Sequence, residues 1–157
     1  MRRQATLDST GQYRYHLSRS WNPAAPRLAF VMLNPSQADG QRDDPTLRRC
    51  LGFAQAWRFG TLAVVNLFAY RTARPQMLRQ VSDPVGPEND CYIRNTVQQV
   101  DCVVVAWGNQ GLWRDRNQIV LKQLSEIAPL HCLGRTQQGQ PRHPLYLPRD
   151  TPLQQYD

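Results

Sequence analysis

The chain is poor in lysine and in cysteine motifs, and it has no long apolar run. Lys122 is the single lysine among 19 basic residues, and Cys50, Cys91, Cys102 and Cys132 are dispersed with no CxxC pair. That spacing excludes a zinc ribbon or a compact iron-sulfur motif and predicts reduced, mostly buried thiols, with no metal and no cofactor. No apolar run approaches the roughly 20 residues of a membrane span. The opening "MRRQATLDSTG" carries two arginines with no apolar segment behind them, unlike a signal peptide, so a cytoplasmic protein is expected, with no membrane partner. Internal repeats and a domain linker are also absent.

What is present is basic. The net charge is +7 and the pI about 9.7, a balance that favours anionic partners such as nucleic acid or a nucleotide. Arginine suits bidentate phosphate contacts and stacking on bases, although arginine-rich codon usage would give the same bias. The hydrophobic fraction of 41% and charged fraction of 20% are those of an ordinary globular chain, and 157 residues suit one domain, 1–157, with a sizeable core.

Periodicity sets the element order. "YRYHLSRSW", Tyr13 to Trp21, alternates as a half-exposed strand does, and is expected to be antiparallel and peripheral. Leu28 to Leu33, Thr61 to Asn66, "DCVVVAWG" and "LHCLG" read as four buried strands. Between them, Asp44 as N-cap and Pro45 at the first helical position open a helix that Gly60 is expected to close. Two more helices are expected, from about Pro87 to Gln99 and from Trp113 to Ile127. Strands apolar throughout, alternating with amphipathic helices, imply an α/β fold: a three-layer α/β/α sandwich on a mostly parallel four-stranded central sheet.

In such sheets ligands bind beyond the carboxyl ends of the strands. The residues there are Asn34-Pro35-Ser36, Asn66, Trp107-Gly108 and Gly134, with His143-Pro144 downstream. Amide side chains donate and accept, which suits reading a base edge or holding a water, and a histidine can donate to a developing anion. No nucleophile stands out.

"LNPSQADGQRDDPT", "VVNLFAYRTARP", "VVAWGNQG" and "LGRTQQGQPRHPLY" together resemble a family of small bacterial proteins that share a domain of unknown function. The order of motifs at the strand ends also resembles the uracil-DNA glycosylase superfamily, whose members carry an "NPG" or "QDP" motif, a strand-terminal asparagine, a "WG" and a late "HPSP". That resemblance implies a uracil-DNA glycosylase-like fold and an N-glycosidic hydrolase acting on a nucleobase. It places Asn34 at the position that holds the attacking water, Asn66 at the asparagine that reads the base, and His143 at the histidine that stabilises the departing base anion. Pro35, Ser36, Trp107 and Gly108 would then join the substrate-binding set.

The late motif reads "HPLY" instead of "HPSP", so a serine expected to contact phosphate is missing and Leu145 or Tyr146 is left as a wedge or stacking group. Phe68 and Tyr70 are candidates to stack on the base through their proximity to Asn66, and Arg71 and Arg74 would bring positive charge to the same edge. Each residue has a plainer reading: an Asx-type turn for Asn34, loop capping for Asn66, a core position for Trp107 and a backbone requirement for Gly108. Asp39, Asp43 and Asp44 admit a magnesium reading, but Asp44 is already a helix cap. Two function classes therefore stand, a glycosidic hydrolase and a non-catalytic nucleotide- or nucleic-acid-binding protein with the same pocket; protein partners are unknown.

Overall fold

The computed structural model describes residues 1–157. Four short runs of aliphatic residues, apolar on both sides of the chain, form the parallel centre of a single sheet. They are β3 (Arg27–Met32), β4 (Thr61–Asn66), β5 (Cys102–Val105) and β6 (Leu130–Cys132). In β3 and β4, Phe30 is in register with Val64 and Met32 with Asn66; on the other side of β3, Val31 is in register with Val105.

The sheet has seven strands instead of the four expected, in the order β1-β2-β4-β3-β5-β6-β7. Three antiparallel strands flank the parallel four: β1 (Arg2–Leu7), β2 (Arg14–Ser20) and β7 (Gln154–Gln155). The strand expected at the periphery, β2, is antiparallel but lies inside the sheet, paired with β4 on one side and covered by β1 on the other. Arg14, its first residue, and Arg19, its last but one, are buried there.

Because side chains alternate across a strand, successive residues of the central strands feed two separate cores. Leu28, Phe30, Leu62, Val64 and Val104 pack on one face against α1 (Pro45–Ala56). Val31, Val65, Val103 and Val105 pack on the other face against α2 (Asn89–Gln98) and α3 (Arg116–Ser125). Helix α1 buries Leu47, Cys50, Leu51, Phe53 and Ala54, and each large apolar side chain hidden this way contributes about 1.5–3 kcal/mol. The cap is the expected one: Asp44 Oδ1 accepts from Leu47 N at 2.8 Å, with Pro45 in the first turn.

The end of α1 differs from expectation. Arg58, at φ 66°, takes the left-handed position just beyond the helix, so Gly60 is not its terminator. Gly60 is required for close approach instead, since an added Cβ would collide with the main-chain oxygen of Asn22. Helix α2 begins two residues later than expected. Helix α3 begins three residues later, because Trp113 leaves the helical register to pack on Phe68 (ring centroids 5.4 Å apart) and Arg114 and Asp115 follow at φ 55° and 53°. All four cysteines are free; Cys50 and Cys132 are buried, Cys102 is half-buried and Cys91 is exposed. No helix is long and apolar enough to cross a membrane.

Candidate functional site

Beyond the carboxyl ends of β3 and β4 the chain turns away on both sides and leaves a cleft of about 400 Å³. The volume is that of a small-molecule site. The two strands stay locked together past their last ladder residues, with Leu67 N donating to Met32 O and Phe68 N to Leu33 O. The positions of Asn34 and Asn66 are thereby tied to one another.

Asn34 is held by its own amide. Nδ2 donates to Thr72 O at 2.8 Å and to Pro35 O at 2.9 Å, while Thr72 N donates back to Pro35 O. Both amide hydrogens are used, and Oδ1, on a residue that lines the cleft, accepts from no protein group.

Asn66 is the reverse case. It is 1% exposed, lines the cleft, and neither Oδ1 nor Nδ2 has a hydrogen-bond partner. A buried amide without partners costs about 1–3 kcal/mol, and native chains seldom retain one.

His143 reaches the cleft from the C-terminal segment. Its Nδ1 accepts from Leu145 N at 3.2 Å, so the proton of the neutral ring sits on Nε2. Burial lowers its pKa from the usual histidine value, and the nearby Asp44 carboxylate opposes that shift in part. At neutral pH this is an uncharged imidazole with one N–H to donate.

Two charged residues, Arg14 and Asp44, also line the cleft. Arg14 opens β2 and is 4% exposed; Nη1 donates to Ala38 O at 2.9 Å and Nε has no partner. Desolvation pulls its pKa down to about 10, against the raising effect of Asp44. Asp44, already the cap of α1, also accepts from Ala38 N at 3.1 Å through Oδ2, so both carboxylate oxygens are engaged by main-chain amides.

Of the residues singled out from the sequence, Asn34, Pro35, Ser36, Asn66 and His143 meet in this cleft. The others do not. Phe68 is fully buried against Trp113 on the opposite face of the sheet, and Trp107 is a core side chain whose Nε1 donates to Gln140 Oε1 at 3.0 Å. Gly108, at φ 72°, donates from its N–H to Pro141 O at 2.8 Å and backs onto the Cβ of His143, so the Trp-Gly pair anchors the loop that presents the imidazole. Arg71 clamps the loop after β3, with Nε donating to Ser36 O and Nη2 to Gln37 O. Tyr146 is 88% exposed and borders a neighbouring groove. Asp43 pairs with Arg3 and Arg19, and Asp39 accepts from the amides of Gln41 and Arg42.

Sequence reasoning missed Arg14. On an alternating strand it looks like any polar residue, and no local signal marks it as buried.

Residues 14–145 match the model of a family described as Protein of unknown function (DUF1643). The chain belongs to that family. The part of this DUF1643 protein that matches begins at Arg14 and ends at Leu145, both of which line the cleft, and encloses every other cleft residue named above. No curated protein and no solved structure matches the chain.

Proposed function

We propose that the cleft takes up a nucleobase and hydrolyses its N-glycosidic bond. The observation that carries this reading is the Asn66 side chain, a buried amide with an unfilled donor and an unfilled acceptor on a residue that lines a cavity of ligand size. A base edge offers the complementary pair, and the Arg14 Nε–H adds a donor toward a ring carbonyl.

The chemistry follows from the other two residues. A water held on Asn34 Oδ1 attacks the anomeric carbon as the bond to the base nitrogen breaks. The electron pair leaves with the base, His143 Nε2–H hydrogen-bonds the anion that develops, and the water gives its proton to solvent. Hydrolysis through an oxocarbenium-like state needs positioning and anion stabilisation more than a strong base, so an amide can suffice as the water-holder. The three-layer, uracil-DNA glycosylase-like architecture belongs to the same reading, supported by α1 on one face of the parallel strands, α2 and α3 on the other, and Asn34, Asn66 and His143 around one cleft.

One observation favours a second reading, a nucleotide- or nucleic-acid-binding protein without turnover. The only carboxylate lining the cleft, Asp44, has both oxygens engaged and cannot activate water without releasing a cap. Base release decides between the two. Purified protein is incubated with oligonucleotides and nucleosides carrying uracil, hypoxanthine, mismatched thymine or oxidised bases, beside Asn34→Ala. Release that disappears in Asn34→Ala with binding retained establishes the hydrolase; saturable binding without release establishes the binder.

A further inference from the structure

A groove of about 700 Å³ lies beside the cleft, between α1 and the segment after His143. Pro45 and Leu145 line both cavities, so the groove adjoins the cleft that holds Asn66. It is basic: Arg48, Arg49 and Arg149 line it, and none of them enters an ion pair, unlike Arg3, Arg19, Arg71 and Arg116.

Two residues of the groove break local rules for no reason internal to the protein. Gly52 sits within α1, where glycine weakens a helix relative to alanine, yet an added Cβ would meet nothing within 4 Å. Tyr146 holds φ at 72°, a strained conformation for a residue with a side chain, while 88% of it is exposed, so packing does not enforce the strain. Both departures make sense for a ligand: the glycine keeps the floor of the groove low, and the left-handed turn stands an aromatic ring at its edge.

We propose that this groove binds a single-stranded stretch of nucleic acid, with Arg48, Arg49 and Arg149 on its phosphates and Tyr146 stacked on one of its bases. Unpaired arginines beside an aromatic platform are the chemistry of strand binding, in which charge tracks the backbone and any base can stack. A free nucleotide fills the cleft alone and leaves the groove without an occupant. The inference rests on the nucleobase reading of the cleft and extends it, since the base in the cleft would belong to a polymer whose neighbouring residues lie in the groove.

Fluorescence anisotropy with labelled dT and U oligomers of about 12 nucleotides, and with a dT·dA duplex of the same length, tests it across a range of salt. The wild type is expected to bind single strands in preference to duplex, with affinity that falls as salt rises; the dT and U arms show which backbone is preferred. Arg48→Gln combined with Arg149→Gln should weaken binding roughly 10-fold or more and flatten the salt dependence. Tyr146→Gly should weaken it by roughly 5- to 150-fold, the range for one lost stack, without lowering Tm, because it relieves the strained φ. Gly52→Leu, which fills the groove and leaves the charge intact, should weaken it likewise without lowering Tm. Preference for duplex, single-strand affinity unchanged in all three variants, displacement by equimolar inorganic tripolyphosphate, or no binding at all would overturn the proposal. Asn66→Ala is expected to keep most of the strand affinity. If strands bind through the groove and no base is recognised or released, the cleft reading fails and the groove stands; if free bases bind and strands do not, the reverse holds.

Discussion

Asn89, on helix α2, donates through Nδ2 to the main-chain oxygens of Asn66 at 2.9 Å and Leu67 at 3.1 Å. Arg116 of α3 donates to the same Leu67 oxygen through Nε and Nη2. Two helices therefore hold the end of β4 from the far side of the sheet, by its backbone. The Asn66 side chain, on the near side, is held by nothing. Fixing a recognition residue through its main chain while leaving its side chain unpaired is how a scaffold preorganises a polar group for a ligand.

Asn66→Leu should therefore stabilise the protein. The change removes a buried amide without partners and puts a side chain of similar size beside Met32 and Val64, so a gain of about 1–3 kcal/mol is expected. The same variant should lose affinity for free bases. Urea unfolding and calorimetric titration with uracil and hypoxanthine measure the two effects; a loss of stability would mean that the amide has a structural role.

Asn89→Ala should act in the opposite direction. It removes the donor that reaches Asn66 O, at a cost of about 1–3 kcal/mol for the buried acceptor left behind. Leu67 O retains Arg116, so the strand end loosens without coming free. The expected result is a lower urea midpoint, and a Kd for bases that rises even though Asn89 lies outside the cleft. An unchanged Kd would show that the end of β4 needs no support from α2.

How much of this was legible in the sequence depends on how local each cause is. The four parallel strands were readable because burial on both faces demands continuous aliphatic runs, and the cap of α1 was readable because Asp44 and Pro45 act within one turn. Strand β1 was not, since "RRQATL" is an exposed edge strand with no apolar run, and β7 is two glutamines paired with β6 only through the tertiary fold. Within the site, Asn34 and Asn66 could be found because strand ends converge in a parallel sheet, whereas His143, on the C-terminal segment, was singled out only through the resemblance of its motif. Phe68 could not be placed by proximity to Asn66: β4 ends at Asn66, the chain turns, and the ring enters the opposite core. Arg14 and the unpaired state of Asn66 depend on which long-range partners are present and which are missing, and no sequence window contains that.

Trp107→Phe separates positioning from contact. The indole N–H satisfies Gln140 Oε1, whose other donor, Asn117 Nδ2, is 3.4 Å away. Phenylalanine keeps most of the core volume and loses that bond, so a cost of about 0.5–1.5 kcal/mol is expected, with a fall in Tm of a few degrees. Under the hydrolase reading kcat should fall, because the loop carrying His143 is less fixed, and base affinity should hold, because Trp107 does not line the cleft. A large loss of affinity with kcat intact would place the indole against the ligand.

The histidines set a testable pH dependence. Burial lowers the pKa of His16 and of His143, assisted by Arg14 at His16 and opposed by Asp44 at His143. Above pH 6.5 both rings are neutral in the folded and unfolded chains alike and contribute no difference. As pH falls through 6.5, the value of an unhindered histidine, the unfolded chain takes up protons that the folded chain refuses. Stability must drop from there until the lowered folded pKa is reached, by at most about 1.4 kcal/mol per pH unit for each ring. Asp39, whose pKa is depressed by the amides of Gln41 and Arg42, contributes stability that is lost only below its ordinary value of 3.8, a separate window. Urea midpoints taken from pH 7.5 to 5 should slope downward, and His143→Gln and His16→Gln should each flatten the slope. At His143 protonation also has a local consequence: a proton on Nδ1 faces the Leu145 N–H, and the loop must give up that bond. If His143→Gln leaves the slope unchanged, the imidazole is not held neutral by the fold, and its place as an uncharged donor to a departing base fails with it.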